Sequence, residues 1–565
     1  MVLLPRPLLG DESSLPKTGP TERILVLDVA KDKGGAESDA ALMAIACLQG
    51  LVNRQTSEKI YLKSFPIRIY DSPEKEAGPG DFYQHALDDG LIPYPAETPA
   101  VDTSKRYPVL SYLTKRFARL LQGKVRYSSF RDGSKVAALN ACTFDSLLPL
   151  TPELDRYLSA EGIALEQKAD VRGMGYEAAF DWSMERYIDR AERNRQVIAF
   201  PSQGTPAMCD YWVATHTFAY YLPRMKVSQL GGKKKTEVAV PESIDERYAR
   251  LLDPKHYPLG VPNIGEVEGV GGIPRMQQLG YTCVCGEVPN ASATSSIPLS
   301  AAEFQPAPKP KAQAIDADAV YISFHANDGD AIDWVYLAYK NLRNDPASGN
   351  VPMAWKINPY FIDLFPTLTA WFSRQHPEQI DLMFSMNDGG GPPAGPGREH
   401  WEKAYRSHFV RSEGAVQTAL YFGPVKPAWP VTFFGDAGAL YVVRGYQGRP
   451  DDNATQWLLV DGTVTSDSTG MAGEGPEGLY RRIKDAIARS TSGQPQFIMG
   501  RLGIWNKPGA PEPYNTRRGI FPASAAKVTI DLLESDPAIG RRLVFLPPRD
   551  LAATYRQWRM RSEDK

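Results

Sequence analysis

Cysteine is nearly missing from this chain, with five among 565 residues. An odd, small number builds no disulfide framework. Cys283 and Cys285 alternate on one face of an expected strand, but no second pair stands at zinc-knuckle spacing, so no metal site is expected. Net charge is also missing: 64 basic side chains stand against 66 acidic ones. That balance leaves no whole-chain field to hold nucleic acid or an anionic membrane surface. The basic run in LGGKKKTE (230–237) reads as a solvated loop. No stretch reaches the roughly 18 apolar residues of a membrane span. At the N-terminus, MVLLPRPLLGDESSLPKTGPTER breaks its apolar start with two prolines, and no signal peptide is evident. A soluble protein without nucleic-acid or membrane partners is expected. Its compartment stays unknown, because a cleaved leader leaves no trace, and so does its oligomeric state.

Several catalytic signatures are absent. No GxGxxG follows a strand with an acid about twenty residues on, and neither a GxxxxGK[ST] loop nor HExxH occurs. FPSQG (200–204) lacks the first glycine of a GxSxG elbow. DGDAID (328–333) places acids like a calcium loop but lacks the remaining ligands and the closing glutamate. No cofactor is expected.

What is present is alternation of strand and helix. ERILVLDVA (22–30), ESDAALMAIACLQGLVNR (37–54) and KIYLKSF (59–65) form one βαβ unit. A less regular region runs to about residue 180. FDWSMERYIDRAERN then reads as helix, RQVIAF as strand and TPAMCDYWVATHTFAYYL as helix. AAEFQPAPKPKAQA (301–314) is too rich in proline for a helix or central strand and reads as a surface connector. Beyond it AVYISFHA, VPMAWKI, IDLMFSM, VQTALYF, ALYVVRGY, PQFIMGRL and RRLVFL read as strands, with helical stretches between several of them. The expected fold class is α/β, with a C-terminal (β/α) barrel-like domain preceded by smaller α/β N-terminal domains. The expected units are 22–105, a small intermediate domain at 106–180, a third region at 181–300 that could contribute to the barrel, the connector, and a catalytic domain at 315–556. Asn290-Ala291-Ser292 and Asn453-Ala454-Thr455 fit glycan-acceptor tripeptides.

Candidate site residues cluster where strands end, because loops after parallel strands emerge at one face. In YISFHANDGDAIDWVY (321–336), Asn327, Asp328 and Asp330 follow a β-branched run. Gly329 would bend the chain so that one aspartate faces the site while the other caps the next helix; the alternative is that both only cap or turn. Asn387 and Asp388 hold the matching place after IDLMFSM, where an Asp-Gly turn is the alternative. Glu266, in VPNIGEVEGVGG (261–272), precedes a glycine run at another expected strand end. Trp355 is a candidate to stack on a sugar face, the alternative being a core residue. Asn358 marks a strand exit where an amide could meet hydroxyls, and His325 sits on the strand just before the acids, with a structural role as its alternative.

LQGLVNR (48–54) with KIYL (59–62), CDYWVATHTFAYYL (209–222), NDGD (327–330) and VPMAWKINPYFIDLFP (351–366) follow one another in an order that resembles the GxGYxYP family of putative glycoside hydrolases over nearly the whole chain. The resemblance implies a multipart N-terminal region, a C-terminal domain of barrel type, and a carbohydrate substrate. It also favours Glu266 over Glu268, since family members tend to carry a Gly-Glu step there. Where the name-giving motif would follow IDLMFSM, this chain reads NDGGGPPAGPG (387–397), keeping glycines and prolines without tyrosines.

Glycoside hydrolysis uses two carboxyl groups, one to protonate the leaving oxygen and one as nucleophile or base. Asp328, Asp330, Asp388 and Glu266 are the expected catalytic set, and Trp355, Asn358, Asn327, His325 and Asn387 the expected substrate contacts. Two alternatives stay open. One is a non-catalytic carbohydrate-binding protein on a decayed glycosidase fold. The other is a polysaccharide lyase, whose acidic polymer would need basic groups such as Arg398, Lys356 or Arg444.

Overall fold

A computed structural model of the chain describes residues 18–32, 37–66, 79–191, 206–219, 259–260, 282–283, 288–299, 303–326, 332, 334–385, 396–422, 441–445, 457–460, 463–470, 475–489, 493–502 and 521–563. The first unit is a parallel sheet of order β2-β1-β3, built from β1 (Arg23–Asp28), β2 (Glu58–Lys63) and β3 (Ala96–Glu97). α1 (Ser38–Gln55) crosses between β1 and β2, and α2 (Pro79–Asp88) follows β2. α1 is buried from Ala40 to Asn53, all the way round. It is therefore a central helix, packed on both sides, and its apolar content exceeds what a one-sided amphipathic stripe requires.

Residues 106–180, expected as less regular, form a second α/β unit. α3 (Pro108–Arg116) leads into β4 (Gly123–Arg126), α4 (Ser134–Asp145), β5 (Leu147–Leu150), α5 (Pro152–Ala160), β6 (Gln167–Asp170) and α6 (Tyr176–Tyr187), and the strands pair in parallel in the order β5-β4-β6. Its strands are four residues long and LLPL contains a proline, too short for a period of two to register. α5 starts on the Thr151 hydroxyl, which accepts the Leu154 N–H at 3.3 Å, with Pro152 in the first turn.

Among the described residues, the helix expected over TPAMCDYWVATHTFAYYL is limited to α7 (Cys209–Ala214). The Thr215 hydroxyl turns back onto the Tyr211 carbonyl at 2.7 Å, and His216 takes a positive φ of 55°, which ends the helix. RQVIAF, expected as a strand, lies outside the described residues. β7 (Leu259–Gly260) and β8 (Thr282–Cys283) pair in parallel, and α8 (Ala291–Thr294) follows. Asn290, the first residue of a glycan-acceptor tripeptide, is fully buried. Its carboxamide exchanges hydrogen bonds with the Leu62 backbone at 2.7 and 3.0 Å and accepts from Gln49 at 2.8 Å, so the folded protein offers no acceptor nitrogen there. Asn453 lies outside the described residues.

The large sheet contains β9 (Ala319–Ala326), β10 (Met353–Ile357), β11 (Ile380–Ser385), β12 (Val416–Phe422), β13 (Tyr441–Gly445), β14 (Trp457–Val460), β15 (Thr463–Gly470), β16 (Gln496–Leu502) and β17 (Arg542–Phe545). Its hydrogen-bonded order is β10-β11-β12-β13-β15-β16-β9-β17, all parallel, while β14 folds back antiparallel on β15. β9 has a third neighbour: its first half pairs with β17, and Phe324, His325 and Ala326 pair with β10. β14 and β15 were not expected from sequence: WLLV is only four residues long, and TVTSDSTG is mostly polar. The helices are α9 (Trp334–Asn344), α10 (Phe361–Leu364), α11 (Pro366–Arg374), α12 (Pro396–Arg411), α13 (Gly475–Ala488), α14 (Pro522–Ser535) and α15 (Pro548–Glu563). The connector runs over the surface and docks on α15, with the Lys311 N–H on Asp550 at 2.8 Å and the Gln313 N–H on Thr554 at 3.0 Å. No helix among the described residues is long and apolar enough to cross a membrane.

Candidate functional site

Side chains alternate across β9, and the two sets enter different environments. Val320, Ile322, Phe324 and Ala326 join the main core, whereas Ala319 and Tyr321 pack with Ala354, Met383, Phe497 and Met499 and with Leu551, Ala552 and Tyr555 of α15. Ser323 and His325 continue that second row toward the carboxyl end of β9. Lys356 is two residues beyond Ala354 on β10, and Arg501 is two beyond Met499 on β16, in register with His325. A buried face that is apolar near the strands' amino ends thus becomes polar and cationic near their carboxyl ends.

His325 is fully buried, and neither ring nitrogen has a hydrogen-bond partner among the described residues. Burial, reinforced by the positive charges of Arg501 and Lys356, pushes its pKa down to about 3. The imidazole is therefore neutral across the physiological range, able to donate from one nitrogen and accept at the other, and unsuited to cycling a proton near pH 7. Lys356 is 2% exposed and, like Arg501, has partners. The hydroxyls of Ser323 and Thr418 are also buried without a hydrogen-bond partner among the described residues.

The expected acids and their amide neighbours, Asn327, Asp328, Asp330, Asn387, Asp388 and Glu266, lie outside the described residues, as does GGGPPAG (389–395). The strand ends that precede most of them are described. β9 is described as far as Ala326 and β11 as far as Ser385, each running parallel to β10 between them. Asp328 comes two residues after the first end and Asp388 three after the second. Trp355 is 1% exposed and belongs to the main core, on the opposite face of β10 from Lys356, so its indole presents no face to a ligand. Asn358 directly follows β10, 6% exposed, and its Oδ1 accepts the Tyr360 N–H at 2.9 Å, which fixes the turn out of the strand.

Other buried carboxylates of this half are engaged elsewhere. Asp381, near the amino end of β11, is bonded by Arg549 of α15 through backbone and guanidinium. Asp363 meets His408 at 3.1 Å and Arg411 at 2.6 Å. Asp345 caps α14 through the N–H groups of Ala523 and Ser524 at 2.7 and 3.1 Å. Arg501 was missed from sequence, although a lone arginine near the end of the apolar strand QFIMGRL was the available signal. Ser323 and Thr418 gave none, since serine and threonine are common in strands.

Fold and site together define an α/β protein with a mostly parallel sheet and a buried polar face at its carboxyl ends. Residues 318–391 match the GxGYxYP putative glycoside hydrolase C-terminal domain, in keeping with the resemblance seen in the sequence. Among solved structures, a putative hydrolase from Bacteroides thetaiotaomicron VPI-5482 is similar over 98% of this chain and 99% of its own, with a TM-score of 0.70 at 15% identity. That likeness shows a shared fold over the whole length. A putative polysaccharide deacetylase from Mycobacterium smegmatis aligns with 45% of this chain and 96% of its own at 11% identity, and its TM-score of 0.31 carries no argument. No curated protein matches the chain.

Proposed function

We propose that this protein hydrolyses glycosidic bonds of an oligo- or polysaccharide at the carboxyl-end face of its large sheet. One observation carries the reading: the family match at 318–391 spans β9, β10 and β11, the strands that bear His325 and Lys356 and that precede Asp328 and Asp388. In this reading β9, β10, β11, β12, β13, β15 and β16 form a barrel-like ring, supported by the pairing of β9 with both β10 and β16. The smaller α/β units at 22–105, 106–180 and 181–300 precede it. Asp328 serves as general acid or nucleophile, with Asp388 or Glu266 as the second carboxylate and Asp330 in a lesser role. Asn327, Asn387 and Asn358 meet sugar hydroxyls, and neutral His325 contributes a hydrogen bond. Trp355 supports β10 from behind. The reaction consumes water and needs no cofactor.

Asp328→Asn is nearly isosteric and can still cap a helix. It should keep the melting temperature within a few degrees while lowering turnover of an accepted glycan about 100-fold to 10,000-fold; full activity in the variant would move the catalytic role to Glu266 and Asp388. Lys356 and Arg501 beside His325 favour a second reading, a lyase acting on an acidic polymer. Product analysis separates the two, since a lyase leaves an ultraviolet-absorbing unsaturated uronate and a hydrolase does not. Glycan binding without either product would instead point to a carbohydrate-binding protein.

A further inference from the structure

A concavity lies away from the large sheet, between α6 and the β5-β4-β6 sheet. Its volume is about 570 Å³, within the range usual for small-molecule sites. Trp182, Arg186 and Tyr187 of α6 line it together with Lys168 and Asp170 of β6 and with Asp145. We infer that this cleft is an accessory binding site for acidic oligosaccharides, distinct from the site of bond cleavage. The choice of a sugar rests on the functional reading above, whereas the preference for acid comes from the cleft itself.

The carboxylates of the cleft are already satisfied. Asp145 accepts the Tyr187 hydroxyl at 2.7 Å and the Arg190 guanidinium at 2.6 Å. Asp170 is held by Arg172 at 2.8 Å. The cations are not matched in this way. Arg186 lies over the Trp182 ring, 4.9 Å from its centroid, and has no carboxylate partner among the described residues. Lys168 pairs with Glu166 at 2.7 Å, but both side chains are largely exposed, 46% and 72%, and such pairs contribute little. The cleft therefore has hydrogen-bond donors and positive charge in surplus.

Trp182 is half-buried and meets Tyr187 edge-on with ring centroids 5.5 Å apart, which fixes the indole as one apolar wall. A pyranose ring offers an apolar C–H face to such a wall, and a uronate carboxylate on the same ring suits the planar fork of a guanidinium. Arg186 stands four residues after Trp182 on one helix, and its exposed guanidinium would yield the indole face to the sugar ring and turn to the carboxylate, so that a single sugar unit meets both. A neutral sugar would use the wall and leave Arg186 and Lys168 unanswered.

Isothermal titration calorimetry with tetragalacturonate, maltotetraose and ATP, on the full chain and on its Trp182→Ala, Arg186→Gln and Lys168→Gln variants, tests the inference. Circular dichroism checks that each variant is folded, and Lys168→Gln, on an exposed edge strand, guards against loss of fold in the other two. Tetragalacturonate should bind at least about tenfold more tightly than maltotetraose. Trp182→Ala and Arg186→Gln should each weaken it about tenfold or more, Lys168→Gln less, and added salt should weaken it further. Equal binding by the cleft variants and the wild type, equal binding of the neutral tetramer, tighter binding of ATP, or no binding of tetragalacturonate at millimolar concentration would each overturn it. Turnover separates this inference from the functional reading. A protein that cleaves glycans while its cleft variants bind them normally keeps the hydrolase reading and loses the cleft. A protein whose cleft variants lose binding while no glycan is ever cleaved keeps the cleft alone.

Discussion

Asp210 shows how a single buried residue couples fold to pH. It sits at the start of α7, 1% exposed, and accepts the Ser292 N–H at 2.9 Å and hydroxyl at 2.6 Å. Burial raises its pKa from 3.8 to about 6 despite those bonds. A carboxyl group whose folded pKa lies above its unfolded value contributes stability that is fully present below about pH 4 and is lost as pH rises toward 6. The wild type should thus lose on the order of 3 kcal/mol relative to Asp210→Asn between pH 4 and pH 7, measured by urea unfolding across that range; parallel profiles for the two proteins would refute it. Asp32, raised to about 7 by burial, acts in the same direction, and His325, lowered to about 3, acts in the opposite one. Both are common to the two proteins, so the difference isolates Asp210. At this scale the sequence made Asp328 and Asp388 conspicuous, because Asp beside Gly after an apolar run is visible in one dimension. Asp210 was quoted only within a longer motif, since its burial depends on α8, more than eighty residues away.

At the scale of elements, the motif LQGLVNR acquires a structural explanation. Gln49 donates to the Ile60 carbonyl at 2.9 Å and to Asn290 at 2.8 Å, and Asn53 donates to Ser292 at 2.7 Å. Arg54 donates to the carbonyls of Thr143 and Val213 at 2.9 and 2.8 Å. These polar residues on α1 join β2, α4, α7 and α8, which accounts for a helix that is buried all round yet carries amide and guanidinium groups. Gly50 permits the close approach of α7, since a Cβ there would lie 2.4 Å from the Asp210 carbonyl oxygen and 2.7 Å from the Val213 Cβ. Gly50→Ala should therefore destabilise the protein by about 1 to 3 kcal/mol, read from the denaturant midpoint, although alanine is the better helix former. α15 is fixed by a different device, the buried Arg549–Asp381 pair, with side chains 2% and 4% exposed. Arg549→Met leaves a buried carboxylate without its cation and should cost about 3 to 5 kcal/mol; adding Asp381→Leu should restore much of it. A double variant no more stable than the single one would show that packing, rather than charge, fastens the helix.

At the scale of the whole molecule, one core cluster runs from Ile24 in β1 to Ile539 beyond α14. Phe82 of α2 packs edge-on against Tyr336 and Tyr339 of α9, at 4.9 and 5.3 Å between centroids. Asp89 accepts the Tyr339 hydroxyl at 2.5 Å and Arg343 at 2.9 Å. Because the first unit and the large sheet share this apolar contact and these bonds, calorimetry should show them unfolding in one transition. Two resolved transitions, with the first sheet melting separately, would contradict this.

The α/β class, β9 through β13, β16 and β17, and the surface connector were legible in the sequence by itself, because hydrophobic period and proline content are local properties. The tertiary structure alone decided which face each strand turns to which neighbour. That placed Trp355 in the core, buried His325 so that its imidazole stays neutral, and gathered Arg501 and Lys356 beside it, from strands far apart in the chain, to reinforce that state. It also revealed the second α/β unit, whose four-residue strands are stabilised by pairing with one another and carry no period of their own.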